Sequence, residues 1–518
     1  MGSSGSASVF ADAGFSAIIG ACKAEIRELY AADAIPWVIG YSGGKDSTAI
    51  LQLVWLAMAE LHPAQRHKPV HVISTDTLVE NPVVAAWVNR SLEAMNEAAQ
   101  RASLPVKPHR LTPEIEDTFW VNLIGRGYPA PRNKFRWCTE RLKIKPSNRF
   151  IRDVVRDNGE AMLVLGIRKA ESQLRARTMA KHEKKAVRDR LTQNAKLPNC
   201  LVYTPIEDWS NDDVWTFLMR VKNPWGYNNK DLLTMYQGAS EDGECPLVVD
   251  SSTPSCGDSR FGCWVCTLVD QDRSMAAMIQ NDGEKEWMLP LLELRNALDF
   301  RGEEARLLER SRRDFRRITG QLTYYENVAG ESQLVPGPYK QEARALWLQR
   351  VLSAQRHIRD HGPGHVRLID LITRDELQEI RRIWVVDKHE VEDLLPRIYE
   401  EQMREPYPGS PIDDNLTFDS ESLELLRGLC GNDLHYELTR NLLDTERRFR
   451  TMAARRGLFD ALEDEIRKCF YDSEEDALAR ARERHEMTEG RSGEEAPMPL
   501  PRPDRQLPLL PAESEVQP

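Results

Sequence analysis

The feature that most restricts the fold is a short apolar run, Pro36-Trp37-Val38-Ile39-Gly40-Tyr41, which leads straight into Ser42-Gly43-Gly44-Lys45-Asp46-Ser47 and then a helical pattern. A buried strand, a glycine turn and a helix in that order make a phosphate site with a mechanism. Gly43 and Gly44 let the backbone approach an anion with its amides turned inward, and the helix N-terminus adds a field that favours negative charge. Lys45 supplies a cation, and Ser42 and Ser47 supply hydroxyl donors. Asp46 is out of place beside phosphate unless a metal or another cation intervenes. The glycine spacing differs from that of the P-loop. The plainer alternative is a glycine-rich turn followed by an ordinary helix cap.

The same alternation continues along the chain. Apolar residues at helical spacing (Phe15, Ile18, Ile19, Cys22, Ile26, Leu29) predict a helix over 14–31, and a second follows over 47–61. A strand over 69–76 ends in Ser74-Thr75-Asp76, and a helix over 81–99 carries Pro82 in its first turn. Further strands are expected over 106–110, 161–168 and 201–205, and an amphipathic helix over 211–222. Strands alternating with helices predict an α/β fold, a parallel sheet covered on both faces, with ligands at the C-terminal strand ends. Residues 270–400 are helical in pattern, 406–411 read as a linker, and Pro, Glu and Ser dominate from Gly490. The expected division is a flexible N-terminus (1–13), a nucleotide domain (14–240), a cysteine-rich segment (241–270), a helical extension (271–405), a helical C-terminal unit (412–485) and a disordered tail (486–518).

A chain of 518 residues is long enough for two or three domains. No run of 18 apolar residues occurs, and no basic segment leads into an apolar one near the start, so a cytoplasmic protein without a membrane span is expected. The small polar stretch 1–6 is left out of the fold argument. A net charge of −11 argues against a free-standing nucleic-acid binder. That mean hides a gradient: residues 126–190 hold 19 Lys and Arg against 7 Asp and Glu, while 486–518 hold 3 against 7. The basic segment reads either as a solvated helical surface or as a surface facing phosphates.

Four of the nine cysteines, Cys245, Cys256, Cys263 and Cys266, fall within 22 residues, in a segment of loop residues. Cys263-x-x-Cys266 commits two sulfurs to one centre. Structural zinc and an iron–sulfur cluster both accept four cysteines, and spacing does not separate them. Cys22, Cys200, Cys430 and Cys469 are scattered and read as core or surface thiols. Cys138 stands alone in Lys134-Phe135-Arg136-Trp137-Cys138-Thr139-Glu140-Arg141-Leu142-Lys143. Nearby cations raise a thiolate fraction, so Cys138 could attack or carry a persulfide sulfur. A further cluster-proximal ligand and a buried core cysteine are the other readings. Arg168, Arg175 and Arg177 follow a strand end, where guanidinium forks suit phosphate oxygens; pairing with Glu171 is the alternative. Asp76 suits Mg2+ or a ribose, or else caps a helix. Trp209 and Trp215 read as core.

The segment around Ser42–Ser47 resembles the PP-loop ATP pyrophosphatases, an adenine nucleotide alpha hydrolase-like family that cuts ATP to AMP and pyrophosphate. Ser74-Thr75-Asp76-Thr77, Gly166-Ile167-Arg168 with Glu171-Ser172 and Arg175, and Pro205-Ile206-Glu207-Asp208-Trp209-Ser210 with Asp213-Val214-Trp215 look like phosphoadenylylsulfate reductases. The run from about 37 to 300 resembles the DndC family, the sulfurtransferases of DNA phosphorothioation. That match is carried by 76–82, by 136–143, by Asn223-Pro224-Trp225-Gly226-Tyr227 and by Phe261-Gly262-Cys263-Trp264-Val265-Cys266-Thr267. It thins beyond about residue 400.

The resemblance implies ATP and Mg2+ on Ser42, Gly43, Gly44, Lys45, Asp46, Ser47 and Asp76. It implies a [4Fe–4S] cluster on Cys245, Cys256, Cys263 and Cys266, and chemistry through Lys45, Asp46, Cys138, Arg168 and Arg175. The implied partners are DNA, a cysteine desulfurase as sulfur donor, and other phosphorothioation proteins of the DndD and DndE type. The implied reaction adenylates a DNA phosphate oxygen, releases pyrophosphate and replaces the oxygen with sulfur. A reductase of adenylylsulfate or phosphoadenylylsulfate, and a non-catalytic scaffold that binds nucleotide and cluster, are the rival readings.

Overall fold

The computed structural model describes residues 8–133, 135–171, 176–177, 179, 186–188, 190–194, 196–239, 261–326, 332–410, 420–450, 452, 454–469 and 471–491. After a single helical turn α1 (Phe10–Ala13) and helix α2 (Phe15–Ala31), strand β1 (Trp37–Gly40) enters the centre of a sheet and α3 (Lys45–Ala59) leaves it. Then come β2 (Val70–Thr75), α4 (Pro82–Arg101), β3 (Val106–Leu111), α5 (Lys145–Asn158), β4 (Ala161–Val164), β5 (Ala186–Arg188), β6 (Leu191–Gln193), β7 (Cys200–Tyr203), α6 (Asn211–Arg220) and α7 (Asn229–Gly238). The starts of these helices follow from local chemistry. Asn81 accepts the Val83 N–H ahead of Pro82, and Ser210 and Asp213 form a reciprocal capping box.

The strand order is β3-β2-β1-β4-β7-β6-β5. The first five strands are parallel, and β6 and β5 are added antiparallel. Side chains alternate between two cores, as the pleat requires. Trp37, Ile39, Val70, Val72, Met162 and Val164 join one core with α3. Val38, Ile73, Ala161 and Leu163 join the other with Ile151 and Val154 of α5. The α/β fold with a mostly parallel sheet and a helical C-terminal part is as the sequence predicts. From β1 the chain steps outward to β2 and β3, then returns to the far side of β1 as β4. The sheet therefore reverses between β1 and β4, where open α/β sheets leave a crevice for ligands.

Two details differ from the sequence reading. The fourth strand stops at Val164 and does not run on to 168. A Cβ at Gly166 would lie 3.0 Å from the Asp46 carbonyl carbon, so the chain must leave the sheet there to pass the first turn of α3. The basic segment also runs into the β5–β6 hairpin, which the sequence pattern did not reveal; Arg190 at its turn lies 3.7 Å from both Glu25 and Glu28.

The chain divides into two compact units, 1–314 with 338–429, and 315–337 with 430–518. In the first, a helical layer including Leu289–Leu298, Gln341–His361, Arg374–Arg382 and Leu394–Met403 encloses a second core with the 119–142 segment. Trp120 donates to the Leu371 carbonyl at 2.7 Å and Trp384 to the Ile124 carbonyl at 2.9 Å. The second unit pairs strands Tyr324–Glu326 and Ser332–Leu334 and includes helices Asp433–Arg450, Leu458–Lys468 and Glu474–Arg491, with a small core of Leu334, Tyr471, Ala477 and Ala481. Among the described residues no helix is long and apolar enough to cross a membrane.

The edge of the sheet carries a histidine pair with a consequence for stability. His71 Nδ1 and His109 Nε2 are 3.0 Å apart, against Phe150 of α5. Burial, then His109, then Lys107 hold His71 down at about 4, and burial and Lys107 lower His109. In the unfolded chain both rings protonate near pH 6.5. The stability they permit is complete above that pH and is lost as pH falls toward 4. The loss, discounted for residual solvent, is on the order of 1–2 kcal/mol. Thermal unfolding at pH 7 and pH 5 is expected to show a smaller drop in Tm for His71→Leu than for wild type; equal drops would contradict this.

Candidate active site

The nucleotide loop sits at the sheet's reversal point and is held in shape by its own side chains. Gly43 has φ +75°, and a Cβ there would lie 2.5 Å from Val88 Cγ2, so the residue is fixed as glycine by backbone and by packing on α4. Ser47 Oγ accepts the Ser42 N–H at 3.2 Å and donates to the Gly44 carbonyl at 3.0 Å; Thr48 Oγ1 donates to the same carbonyl at 2.8 Å. Tyr236, from α7, closes the loop from outside. Its hydroxyl accepts the Lys45 N–H at 3.4 Å, and Lys45 Nζ lies 5.4 Å from its ring centre. Burial pushes the Tyr236 phenol up, which keeps it protonated.

The cation that Asp46 requires is Arg168. Its Nε donates to Asp46 Oδ1 at 2.6 Å and its Nη1 to the Trp209 carbonyl at 3.2 Å, and the residue is 3% exposed. Lys45 Nζ lies 3.5 Å from the other Asp46 oxygen. The carboxylate thus aligns two cations at the start of α3, and the loop can accept an anion without Asp46 repelling it outright. Arg168, expected to grip phosphate directly, is spent in large part on Asp46 and on Trp209.

A second group gathers at the end of β2, the strand next to β1. Thr77 Oγ1 lies 3.3 Å from Cys263 Sγ and donates to Glu80 at 3.1 Å. Cys263 Sγ lies 3.7 Å and Lys143 Nζ 3.4 Å from the same Glu80 oxygen. Backbone pairing fixes this arrangement: Trp264 N–H donates to the Val79 carbonyl at 2.9 Å and Asn81 N–H to the Gly262 carbonyl at 3.2 Å. Cys266 is one turn on, its N–H donating to the Cys263 carbonyl at 3.0 Å. Burial, then Glu80, push the Cys263 thiol up to about 12, against an opposing pull from Lys143 and Thr77. Lys143 is in turn pushed up, chiefly by Cys263.

Cys138 starts the helical turn Thr139–Ile144 that runs on into α5. Burial pushes its thiol up, and Cys266 adds to this; Thr139 and Lys143 oppose. The expectation that surrounding cations activate Cys138 is corrected here. Arg141 is bound to Asp117, Lys145 reaches Asp117 at 2.8 Å, and Arg136 donates to Asn133 at 3.1 Å. What favours a thiolate among the described residues is the helix N-terminus, Thr139 and Lys143, and burial outweighs them.

Asp76 pairs with Arg110 of β3 and accepts the Leu78 N–H at 2.8 Å, so its carboxylate is engaged as a turn cap and ion pair. Arg175, Cys245 and Cys256 lie outside the described residues. Among the described residues no group of three or more His, Cys, Asp or Glu side chains is arranged to hold a metal ion. Cys263 and Cys266 nevertheless offer two soft donors from one turn, which fits an iron–sulfur or zinc centre completed by further cysteines. Sequence reasoning assigned no role to Tyr236, Glu80 or Lys143. The last two lay inside quoted motifs, at positions whose partners are distant in sequence.

Residues 36–268 match the phosphoadenosine phosphosulfate reductase domain family, so this part of the chain is a PAPS reductase-like domain of the PP-loop type. An uncharacterized protein of Methanocaldococcus jannaschii is 28% identical over 200 residues, 39% of this chain; the chain spans about a third (35%) of that relative's length. Two solved structures are similar with a TM-score of 0.25 each. One is a phosphoadenylyl-sulfate reductase from Candida auris in a phosphate complex, 14% identical, covering 42% of this chain and 89% of that one. The other is the U34-tRNA thiolase NcsA from Methanococcus maripaludis with its [4Fe–4S] cluster, 13% identical, covering 57% and 81%.

The Asp46–Arg168 pair gives a direct test of this geometry. Removing either partner leaves a largely buried charge, and Arg168→Met or Asp46→Asn is expected to cost about 2–3 kcal/mol in urea unfolding. The double variant is expected to cost less than the sum by at least about 1 kcal/mol. Strictly additive losses would show that the two side chains do not depend on each other.

Proposed function

We propose that this protein is an ATP-dependent sulfurtransferase that replaces a non-bridging oxygen of a DNA phosphodiester with sulfur. The observation that carries the reading is the adjacency of two sites. The nucleotide loop follows β1, the Cys263 thiol lies against Thr77 just beyond β2, and these strands are neighbours in one parallel register. In this reading a site that activates an oxygen and a site that handles sulfur open at the same edge of the sheet. The reductase-like domain match supports sulfur chemistry on an adenylylated group.

A phosphate oxygen is a poor leaving group at neutral pH, and adenylation converts it into AMP. ATP would lie on Ser42–Ser47, with loop amides and Lys45 facing its phosphates and Mg2+ offsetting their charge. The DNA oxygen attacks the α-phosphorus and pyrophosphate departs. Asp46 and Arg168 hold Lys45 and the loop in place, and Arg175 would be the further phosphate contact. Cys138 receives sulfur from a cysteine desulfurase as a persulfide. The terminal sulfur attacks the DNA phosphorus, AMP leaves with the former DNA oxygen, and a thiol reductant cleaves the remaining S–S bond to free the phosphorothioate. Cys263 and Cys266, with Cys245 and Cys256, would hold a [4Fe–4S] cluster that supplies a redox-active iron–sulfur centre. Proteins of the DndD and DndE type are the expected partners on DNA.

Anaerobic protein incubated with ATP, a desulfurase and DNA is expected to release pyrophosphate and to yield phosphorothioate in digested DNA. Lys45→Ala should lower pyrophosphate release about 100-fold or more while leaving the fold intact. Cys138→Ser should still release pyrophosphate but form no phosphorothioate. Lys45→Ala at wild-type rate would place ATP elsewhere, and sulfite formed from phosphoadenylylsulfate without pyrophosphate would assign a reductase.

A further inference from the structure

The turn that leads into Cys138 presents an aromatic ring to solvent. Arg132 N–H donates to the Phe135 carbonyl at 3.2 Å and Phe135 N–H to the Arg132 carbonyl at 2.8 Å, which closes a tight hairpin. Arg136 donates across it to Asn133. The next residue, Trp137, is buried, its indole N–H donating to the Pro129 carbonyl at 2.9 Å. Tyr128 packs edge-on to Trp137 with ring centres 5.7 Å apart, and the Arg141 guanidinium lies 5.4 Å from the centre of the Tyr128 ring. Phe135 leans on Tyr128 at 6.3 Å and yet stays 44% exposed. It takes no part in the core that Trp137 and Cys138 join. A phenyl ring held out of the core by a hydrogen-bonded turn, within the most basic stretch of an acidic chain, suits a ligand with a flat apolar face and anionic flanks.

We propose that Phe135 is a base-stacking finger. It stacks on an unstacked or single-stranded base beside the phosphodiester presented to Cys138, and Arg136 pairs with a neighbouring backbone phosphate. The inference rests on the reading of DNA as the substrate. Its geometry agrees with the chain's reach. Two residues separate Phe135 from Cys138, and the three backbone steps between them span at most about 10 Å. Stacked strand rises about 3.4 Å per nucleotide, so the gripped base and the modified phosphate lie within one to three nucleotides. Stacking on an aromatic ring tolerates any base, whereas backbone cations add affinity without reading sequence. Phe135 would therefore fix where along the strand the sulfur enters, and would leave the choice of sequence to other contacts.

The test uses the full-length protein and DNA carrying 2-aminopurine at successive positions around the modified phosphate. Wild type is expected to change the fluorescence at one position within three nucleotides of that phosphate. Phe135→Ala should bind roughly tenfold more weakly and lose the signal, and Phe135→Trp should restore both. Arg136→Ala should keep the signal and reduce the salt slope of binding by about one phosphate. Wild type that binds DNA while Phe135→Ala matches it in affinity and fluorescence would overturn the finger alone. Wild type that binds no DNA with ATP present would overturn the DNA reading, and the finger with it.

Discussion

The ion pair between Arg168 and Asp46 joins the two places at which this sheet changes direction. Asp46 stands at the first turn of the helix after β1, and Arg168 at the end of the excursion after β4. Gly166 lets those backbones approach, and the buried guanidinium then fills the gap and also donates to the Trp209 carbonyl ahead of α6. One cation thus secures three segments around the mouth of the crevice. It also resolves the conflict of a carboxylate within a phosphate loop, because Asp46 is neutralised from behind and in turn orients Lys45. A loop assembled in this way is pre-organised for an anion, which lowers the ordering cost of binding one.

The thiol group depends on a different constraint. Residues 79–81 and 262–264 pair through their backbones, so the position of Cys263 follows from the end of β2. The helical layer secures the other side of the same loop. Arg295, 1% exposed, donates to the carbonyls of Cys266 at 3.0 Å and Asp270 at 3.3 Å, and Arg301 donates to that of Thr267 at 3.3 Å. These bonds hold the carbonyl side of the loop that carries Cys263 and Cys266. The helices beyond the sheet are thus part of the sulfur site's support, and the shared core with Trp120, Trp264 and Trp347 joins the two layers.

What the sequence made legible was local. The strand–glycine–helix unit, the strand cores and the Cys-x-x-Cys pair each lie within a few consecutive residues, where periodicity and turn chemistry act. What stayed hidden was set by contacts distant in sequence. Asp46 and Arg168 are 122 residues apart, Lys45 and Tyr236 191, and Thr77 and Cys263 186. Charge spacing around Cys138 misled for the same reason: the cations lie close in sequence, but Asp117, from outside that motif, draws Arg141 and Lys145 toward itself. The truncated fourth strand repeats the lesson, since the apolar run 161–167 gave no sign that α3 would pass against Gly166.

In the proposed function a DNA phosphate oxygen is the atom activated on this loop, and an isotope follows that atom. DNA synthesised with 18O at the non-bridging positions of the target phosphodiester would be incubated with the protein, ATP and a sulfur donor, and the AMP formed would be analysed by mass spectrometry. The proposed function requires AMP to carry one 18O for each phosphorothioate formed, because the departing oxygen leaves with the adenylyl group. Unlabelled AMP alongside phosphorothioate would contradict it, since the oxygen would then have left by a route that the nucleotide does not share.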